Sequence, residues 1–200
     1  MSNIHDSFIH GANFKCGFNV IIEEDVIVGD KVSLGHNVTL KSGTRVMNDV
    51  DLADYVKTTG ICIIGNGVGV RTGACISRSV IINDNAFIGP GIMSNHTKNV
   101  MHKRNLKEVQ LITRIGYGAV IGSMTSLIAG ITIGDNVVIA AETNVFKDIL
   151  EAGVYGGNPM RKLKDIDPAY ALKRPAGYKE YEFDQDSLKK YLPKWIGFNK

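Results

Sequence analysis

Residues 26–37 read Val26-Ile27-Val28-Gly29-Asp30-Lys31-Val32-Ser33-Leu34-Gly35-His36-Asn37. Each half puts an aliphatic residue first and third, glycine fourth and polar residues after it. The same six-residue step holds outward in both directions. From Phe8 it passes through Phe14, Val20, Val26, Val32, Val38, Thr44, Val50, Val56, Cys62, Val68, Ala74, Val80 and Ala86, and only Thr44 is polar. A second row lies two residues further on, from His10 through Cys16, Ile22, Val28 and Leu34 to Ile88, with His10 and Thr58 as its polar members. After one interruption both rows resume. The first continues at Thr113, Ala119, Thr125, Ile131, Val137 and Thr143, the second at Ile115, Ile121, Leu127, Ile133, Ile139 and Val145.

An α-helix cannot carry this period. Six residues at 100° each leave the row displaced by about 240°, so it would wander around every face. Short extended segments carry it, because residues two apart on a strand share a face. A turn after each pair then redirects the chain, and glycine or a cluster such as Gly134-Asp135-Asn136 suits that turn. One hexad is too short to be stable alone, so successive coils must stack and bury one continuous apolar column. Three hexads per coil make a triangular prism, and the twenty hexads of the two rows predict six to seven coils. A β-sandwich would need turn signals every 8–12 residues or so, which this period does not supply.

Between Gly91 and Thr113 the rows stop. The stretch about 92–112 predicts an inserted loop with His96, His102 and the cations Lys98, Lys103, Arg104 and Lys107. A long loop between rigid coils is a natural place to build a site. The division expected is a solenoid domain over residues 1–163 and a partly helical tail or cap over 164–200. Asp167-Pro168 reads as an N-cap followed by proline at the first helical position. A second helix is expected after Asp186, with Leu188, Tyr191, Leu192 and Trp195 on one face. Seven of the fifteen aromatic residues fall in this basic tail, which would cap the open end of the solenoid or reach over a neighbouring subunit.

The units Ile133-Gly-Asp-Asn-Val and Ile121-Gly-Ser-Met-Thr resemble the hexapeptide-transferase repeat, over roughly residues 8–163. That resemblance implies an all-β, left-handed parallel β-helix and a homotrimer, neither of which follows from the period itself. Residues 139–148, with Gly156-Gly157-Asn158-Pro159-Met160-Arg161-Lys162, resemble the coenzyme A-binding end of hexapeptide acetyltransferases. It implies acetyl-CoA as acyl donor, its pantetheine near Gly122, Gly130, Ala140 and Ala141 and its phosphates near Lys147, Arg161 and Lys162. Small residues let such an arm approach the backbone and cations match phosphate charge. The same residues would serve equally as packing positions and solvated cations.

Residues 86–96 and 99–104 resemble the enzymes that acetylate nucleotide-linked amino sugars, through Gly89-Pro90, Asn95 and Arg104. This implies an N-acetyltransferase of bacterial surface polysaccharide synthesis, with Lys103 and Arg104 toward the acceptor. Acyl transfer needs a proton acceptor, and histidine suits that task near neutral pH. His96 is the candidate general base, and Asn95 would orient the acceptor. A sugar or drug O-acetyltransferase of the same fold is the alternative, because a hydroxyl acceptor leans harder on a base. A zinc enzyme on the same solenoid would need three histidine ligands, and His96 and His102 have no obvious third. A non-enzymatic scaffold is the remaining rival.

Composition narrows the classes. With 44% apolar residues the 200-residue chain has enough for one continuous core. A net charge of +3 with 22% charged residues argues against disorder and nucleic-acid binding. No apolar run long enough to span a bilayer is present, so no membrane insertion is expected. Residues 1–6 lack the features of a signal peptide, and Cys16, Cys62 and Cys75 lack metal-ligand spacing. Reduced thiols, a cytoplasmic location and no metal cofactor are the expectations.

Overall fold

The computed structural model describes residues 2–99, 102, 103, 105 and 111–192. Almost every hexad forms a strand of two or three residues. Asn3 lies opposite Ile21, Ile9 opposite Ile27 and Lys15 opposite Ser33, so the register recurs every 18 residues. One coil therefore consumes three hexads and gives one strand to each of three faces. The first face starts at Asn3–Ile4 and holds eight strands, and the second starts at Ile9–His10 and holds seven. The third starts at Lys15–Cys16 and holds nine, counting the antiparallel strand Arg161–Lys164 at its end. Coiling starts one hexad before Phe8 and continues to Gly153–Gly156, so the eight-stranded face gives about eight coils, not six to seven.

Both apolar rows point inward and form one column, in which Val20, Val26, Leu52, Ile64, Ile82 and Ile121 are fully buried. The polar exceptions are satisfied inside it. Thr44 and Thr58 hold their hydroxyls 2.9 Å apart, and Thr44 donates to the Lys41 carbonyl at 2.7 Å. His10 stands at the open first coil, its ring 5.0 Å from that of Phe14 and 5.5 Å from that of Phe8. These rings shield the start of the column.

The glycine after each pair has a different reason from the one its turn position suggests. Positive φ falls two residues later, at Asn13, Asn19, Lys31, Asn37 and their equivalents. Asparagine, aspartate and glycine suit that left-handed conformation. Gly29 has no such φ. A Cβ there would lie 2.3 Å from Asn48 Oδ1 and 3.0 Å from the Met47 carbonyl carbon of the next coil, so close stacking favours glycine.

Three corners join the faces. The second, between the second and third faces, is a hydrogen-bonded ladder. Asp30 accepts from Ala12 N at 2.7 Å, Asn48 from Asp30 N at 2.8 Å, Asn66 from Asn48 N at 3.0 Å and Asp84 from Asn66 N at 2.7 Å. The third corner, between the third and first faces, uses the same device where His36 Nδ1 accepts from Phe18 N at 2.9 Å.

The insertion is shorter than expected at its start. Ile92 and Ser94 continue the two buried rows, and Met93 pairs with Ser126. That partner is 33 positions on instead of 18, so fifteen residues are inserted, beginning after Ser94 at the first corner. The tail also departs from expectation. Asp167 caps a single turn, accepting from Ala169 N and Tyr170 N at 2.8 Å, and no helix follows. Pro175 disfavours helical backbone at Arg174 before it. The helix that does form is Gln185–Tyr191, with Asp184 as N-cap accepting from Ser187 N at 2.8 Å. Trp195 lies outside the described residues.

From Asp165 onward the tail turns back along the second face. Phe183, Leu188 and Leu192 pack on Ile61, Ile63, Ile81 and Ile112, a second buried cluster outside the prism. Tyr181 donates to Asp84 and accepts from Asn66, both at 2.7 Å, and burial raises its hydroxyl pKa. Lys190 and Tyr191 both bond the Asp25 carboxylate. No helix among the described residues is long and apolar enough to cross a membrane.

Candidate active site

The candidate site residues separate onto corners and the solenoid end. Asn95 and His96 leave the first corner where the insertion starts. Asn95 N donates to the Leu127 carbonyl at 2.9 Å, which holds it against the next coil. The returning Leu111 N donates to the His96 carbonyl at 3.4 Å, so the two ends of the insertion meet at His96. Asn95 is exposed and His96 half-buried. Lys103 is exposed with φ 53°, and Arg104 lies outside the described residues.

Gly130 occupies the same corner one coil on. Its φ is 81°, and a Cβ there would meet Leu111 at 2.7 Å. The residue is shaped by the returning insertion. Lys147 follows one coil later, exposed. Gly122, Ala140 and Ala141 instead stack on the third corner. A Cβ on Gly122 would lie 2.4 Å from Ala141 N and 2.7 Å from the Ala140 carbonyl carbon. Coil stacking alone therefore demands this glycine. The first and third corners are opposite edges of the first face, separated by roughly 15–20 Å of near-extended chain. Within one prism the small-residue column and His96 do not meet.

The cations do meet. Lys147, Arg161 and Lys162 line one cleft of about 450 Å³ at the C-terminal end, with Leu150, Tyr155 and Met160 as its apolar wall. Lys162 is committed, bonded to Asp165 at 2.7 Å and Glu151 at 2.6 Å, and those carboxylates raise its pKa. Asp148 accepts from Thr132 N at 2.8 Å. Lys147 and Arg161 carry no carboxylate partner among the described residues and are the two cations open to a phosphate. The apolar wall was not part of the sequence expectation. Its signal is Tyr155 beside the Gly156-Gly157 turn, an aromatic near the end of the last parallel strand. No group of three His, Cys, Asp or Glu side chains placed to hold a metal ion occurs among the described residues.

This architecture has relatives. The bifunctional protein GlmU of Carboxydothermus hydrogenoformans is 35% identical over 150 residues, 75% of this chain and 31% of that protein. The UDP-N-acetylglucosamine acyltransferase of Campylobacter jejuni superposes with a TM-score of 0.55 at 13% identity, over 80% of this chain and 73% of that one. The chain's parallel β-solenoid is the fold of the hexapeptide-repeat acetyltransferases, which it resembles. A further neighbour in fold is a mutant of AntD, an N-acyltransferase from Bacillus cereus solved with dTDP and coenzyme A. It matches with a TM-score of 0.54 at 17% identity, over 78% of this chain and 85% of that one. No known protein-family model matches the hexapeptide-repeat chain. The chain spans about a third of the length of the first curated relatives it matches.

Proposed function

We propose that this protein is an acetyl-CoA-dependent N-acetyltransferase acting on a nucleotide-linked amino sugar. The observation that carries the reading is the insertion itself. It leaves a rigid solenoid at Asn95-His96 and closes back on His96 through Leu111, which sets a histidine at a defined point on an otherwise ladder-like corner. The shared fold with an N-acyltransferase solved with dTDP and coenzyme A supports the substrate class.

The donor's phosphates would lie at Lys147 and Arg161, with Tyr155 and Met160 against its apolar parts. Lys162 contributes through Glu151 and Asp165, which it ties to the cleft wall. Acetyl transfer then needs the acceptor amine beside the thioester carbonyl. Asn95 would orient that amine, and His96 would take the proton it sheds as the new C–N bond forms. The C–S bond breaks, and His96 returns the proton to the departing thiolate. A backbone N–H would stabilise the transient oxyanion. Because Gly122, Ala140 and Ala141 sit on the opposite edge of the face from His96, a second copy would bring its third corner alongside this first corner. A homotrimer satisfies that requirement for every copy.

Thiol release from acetyl-CoA, measured over nucleotide-linked amino sugars and their hydroxyl counterparts, tests the reading. Turnover confined to an amine acceptor is expected. Turnover on hydroxyl acceptors would make it an O-acetyltransferase, and an absence of coenzyme A binding would remove the enzyme reading altogether.

A further inference from the structure

The outward row of the second face runs Ile9, Ile27, Arg45, Ile63 and Ile81, in register from coil to coil. Its two halves meet different surroundings. Ile63 and Ile81 are buried under Phe183, Leu188 and Leu192 of the tail. Ile9 and Ile27 are 59% and 36% exposed. Between these two isoleucines and the tail helix lies a cleft of about 310 Å³, with Ile9, Ile27 and Arg45 on the prism side and Asp184, Asp186 and Tyr191 on the helix side. The Arg45 guanidinium is committed to backbone, donating to the Asp25 carbonyl and, at 3.4 Å, to the Thr44 carbonyl. The two isoleucines are left as the apolar part of the cleft.

The tail descends the stack toward this cleft. Arg174 pairs with Asp135, the Tyr178 hydroxyl accepts from Asp84 N at 3.1 Å, Tyr181 bonds Asn66, and Tyr191 bonds Asp25. Each of these partners lies at least one coil nearer the N-terminal end than the last. The Tyr191 ring lies against Gly43, where a Cβ would come within 2.9 Å of it. The helix ends there, with Leu192 N donating to the Leu188 carbonyl at 2.9 Å. Eight residues follow in the sequence, Pro193-Lys194-Trp195-Ile196-Gly197-Phe198-Asn199-Lys200. They can span at most roughly 26–29 Å, and Ile9 lies two coils, about 10 Å, below the level of Arg45. Three of the eight are large and apolar, and two are lysines with no acid among them. Around the cleft Asp25, Asp184 and Asp186 outnumber Arg45 and Lys190, so the charges are complementary.

We infer that residues 193–200 are the occupant of this cleft, with Trp195 packed on Ile27 and Ile9 and the lysines toward Asp184 and Asp186. Removal of two isoleucines and an indole from water is the driving force, as it is for the half of the row that the tail already covers. The cover is independent of the acyl-transfer chemistry. It closes the N-terminal part of the second face to any partner, so a second copy seated at this level has to use the first or the third face.

Trp195 is the only tryptophan in the chain, so its fluorescence reports this segment alone. Emission and acrylamide quenching are compared for the full wild-type chain, an Ile9→Glu/Ile27→Glu double variant, and Ile21→Glu, which alters an outward isoleucine of the first face with 42% exposure. The wild type should emit at shorter wavelength than its urea-unfolded form and resist quenching. The double variant should lose both properties, and Ile21→Glu should keep them. If the double variant does not melt like the wild type, Ile27→Thr takes its place, keeping the β-branch while shedding apolar area, and should lose part of the shift. Wild-type emission equal to that of the unfolded chain overturns the assignment. Shielding that survives the substitutions at Ile9 and Ile27 overturns it too, because Trp195 then lies elsewhere. Shielding that disappears on dilution makes the occupant a second copy, which also overturns it.

Discussion

Two corners of the same prism are satisfied to different degrees. At the second corner each Asp or Asn accepts from the backbone of the coil before it, and the tail adds Tyr181 to Asn66 and Asp84. Nothing polar is left over at those rungs. At the first corner Arg78 Nε and Ser79 Oγ have no partner, and the next coil opens into the insertion at Asn95. A buried polar group that is satisfied stabilises, and one that is not costs roughly 1–3 kcal/mol. The second corner is therefore fully satisfied by the stack, and the first carries an unsatisfied cost where the insertion leaves it.

The largest test of that contrast is His96→Ala. A general base contributes about 10²–10⁴-fold, so thiol release should fall by that factor while thermal melting stays where it is. A stable protein with full activity would remove His96 from the chemistry. Next comes Gly116→Ala at the second corner. Its Cβ would lie 2.4 Å from the Gly134 carbonyl carbon and 2.6 Å from Asp135 N, both backbone, so the coils must part. Urea denaturation should show a loss of about 3 kcal/mol. Asp84→Ala removes the acceptor for Asn66 N and Tyr181, with an expected loss of about 1–3 kcal/mol and faster proteolysis of the tail. If this substitution proves neutral, the ladder is not a source of stability.

The smallest effect is a pH dependence where the tail helix meets the N-terminal part of the first corner. Lys190 and then Tyr191, by hydrogen bonding, hold Asp25 below its ordinary pKa. A depressed carboxylate contributes stability above its unfolded pKa and loses it as pH falls through the lowered folded value. Hydrogen exchange in Gln185–Tyr191 should be constant from neutral pH down to about pH 4 and accelerate below it. In Asp25→Asn the fast exchange should be present throughout. An Asp25→Asn variant with slow exchange at neutral pH would show that Leu188 and Leu192 hold the helix unaided.

The solenoid was readable because an inward position every six residues is a local property, repeated so often that isolated exceptions such as Thr44 do not hide it. The tail's docking was not inferred, although Ile63 and Ile81 carried a signal. Each is an apolar residue at the outward middle position of a strand, flanked by two inward ones. The pairing of those isoleucines with Phe183 and Leu188 crosses about a hundred residues and has no period to announce it. The sequence offers candidate site residues by type and does not place them. Lys147, Arg161 and Lys162 do converge, while Gly122, Ala140 and Ala141 fall on another corner from His96.

The amino-acid order by itself determined the strand length, the inward rows, the 18-residue coil and the place where the coil is broken. Those depend on nearest neighbours along the chain and on alternation across a strand. Only the tertiary structure decided which glycines answer to φ and which to the coil above, and which face the tail covers. It also decided which polar groups at the first corner lack a partner. Satisfaction of a hydrogen bond or a charge depends on the coil stacked 18 residues away, and an insertion changes that neighbour without changing the local sequence.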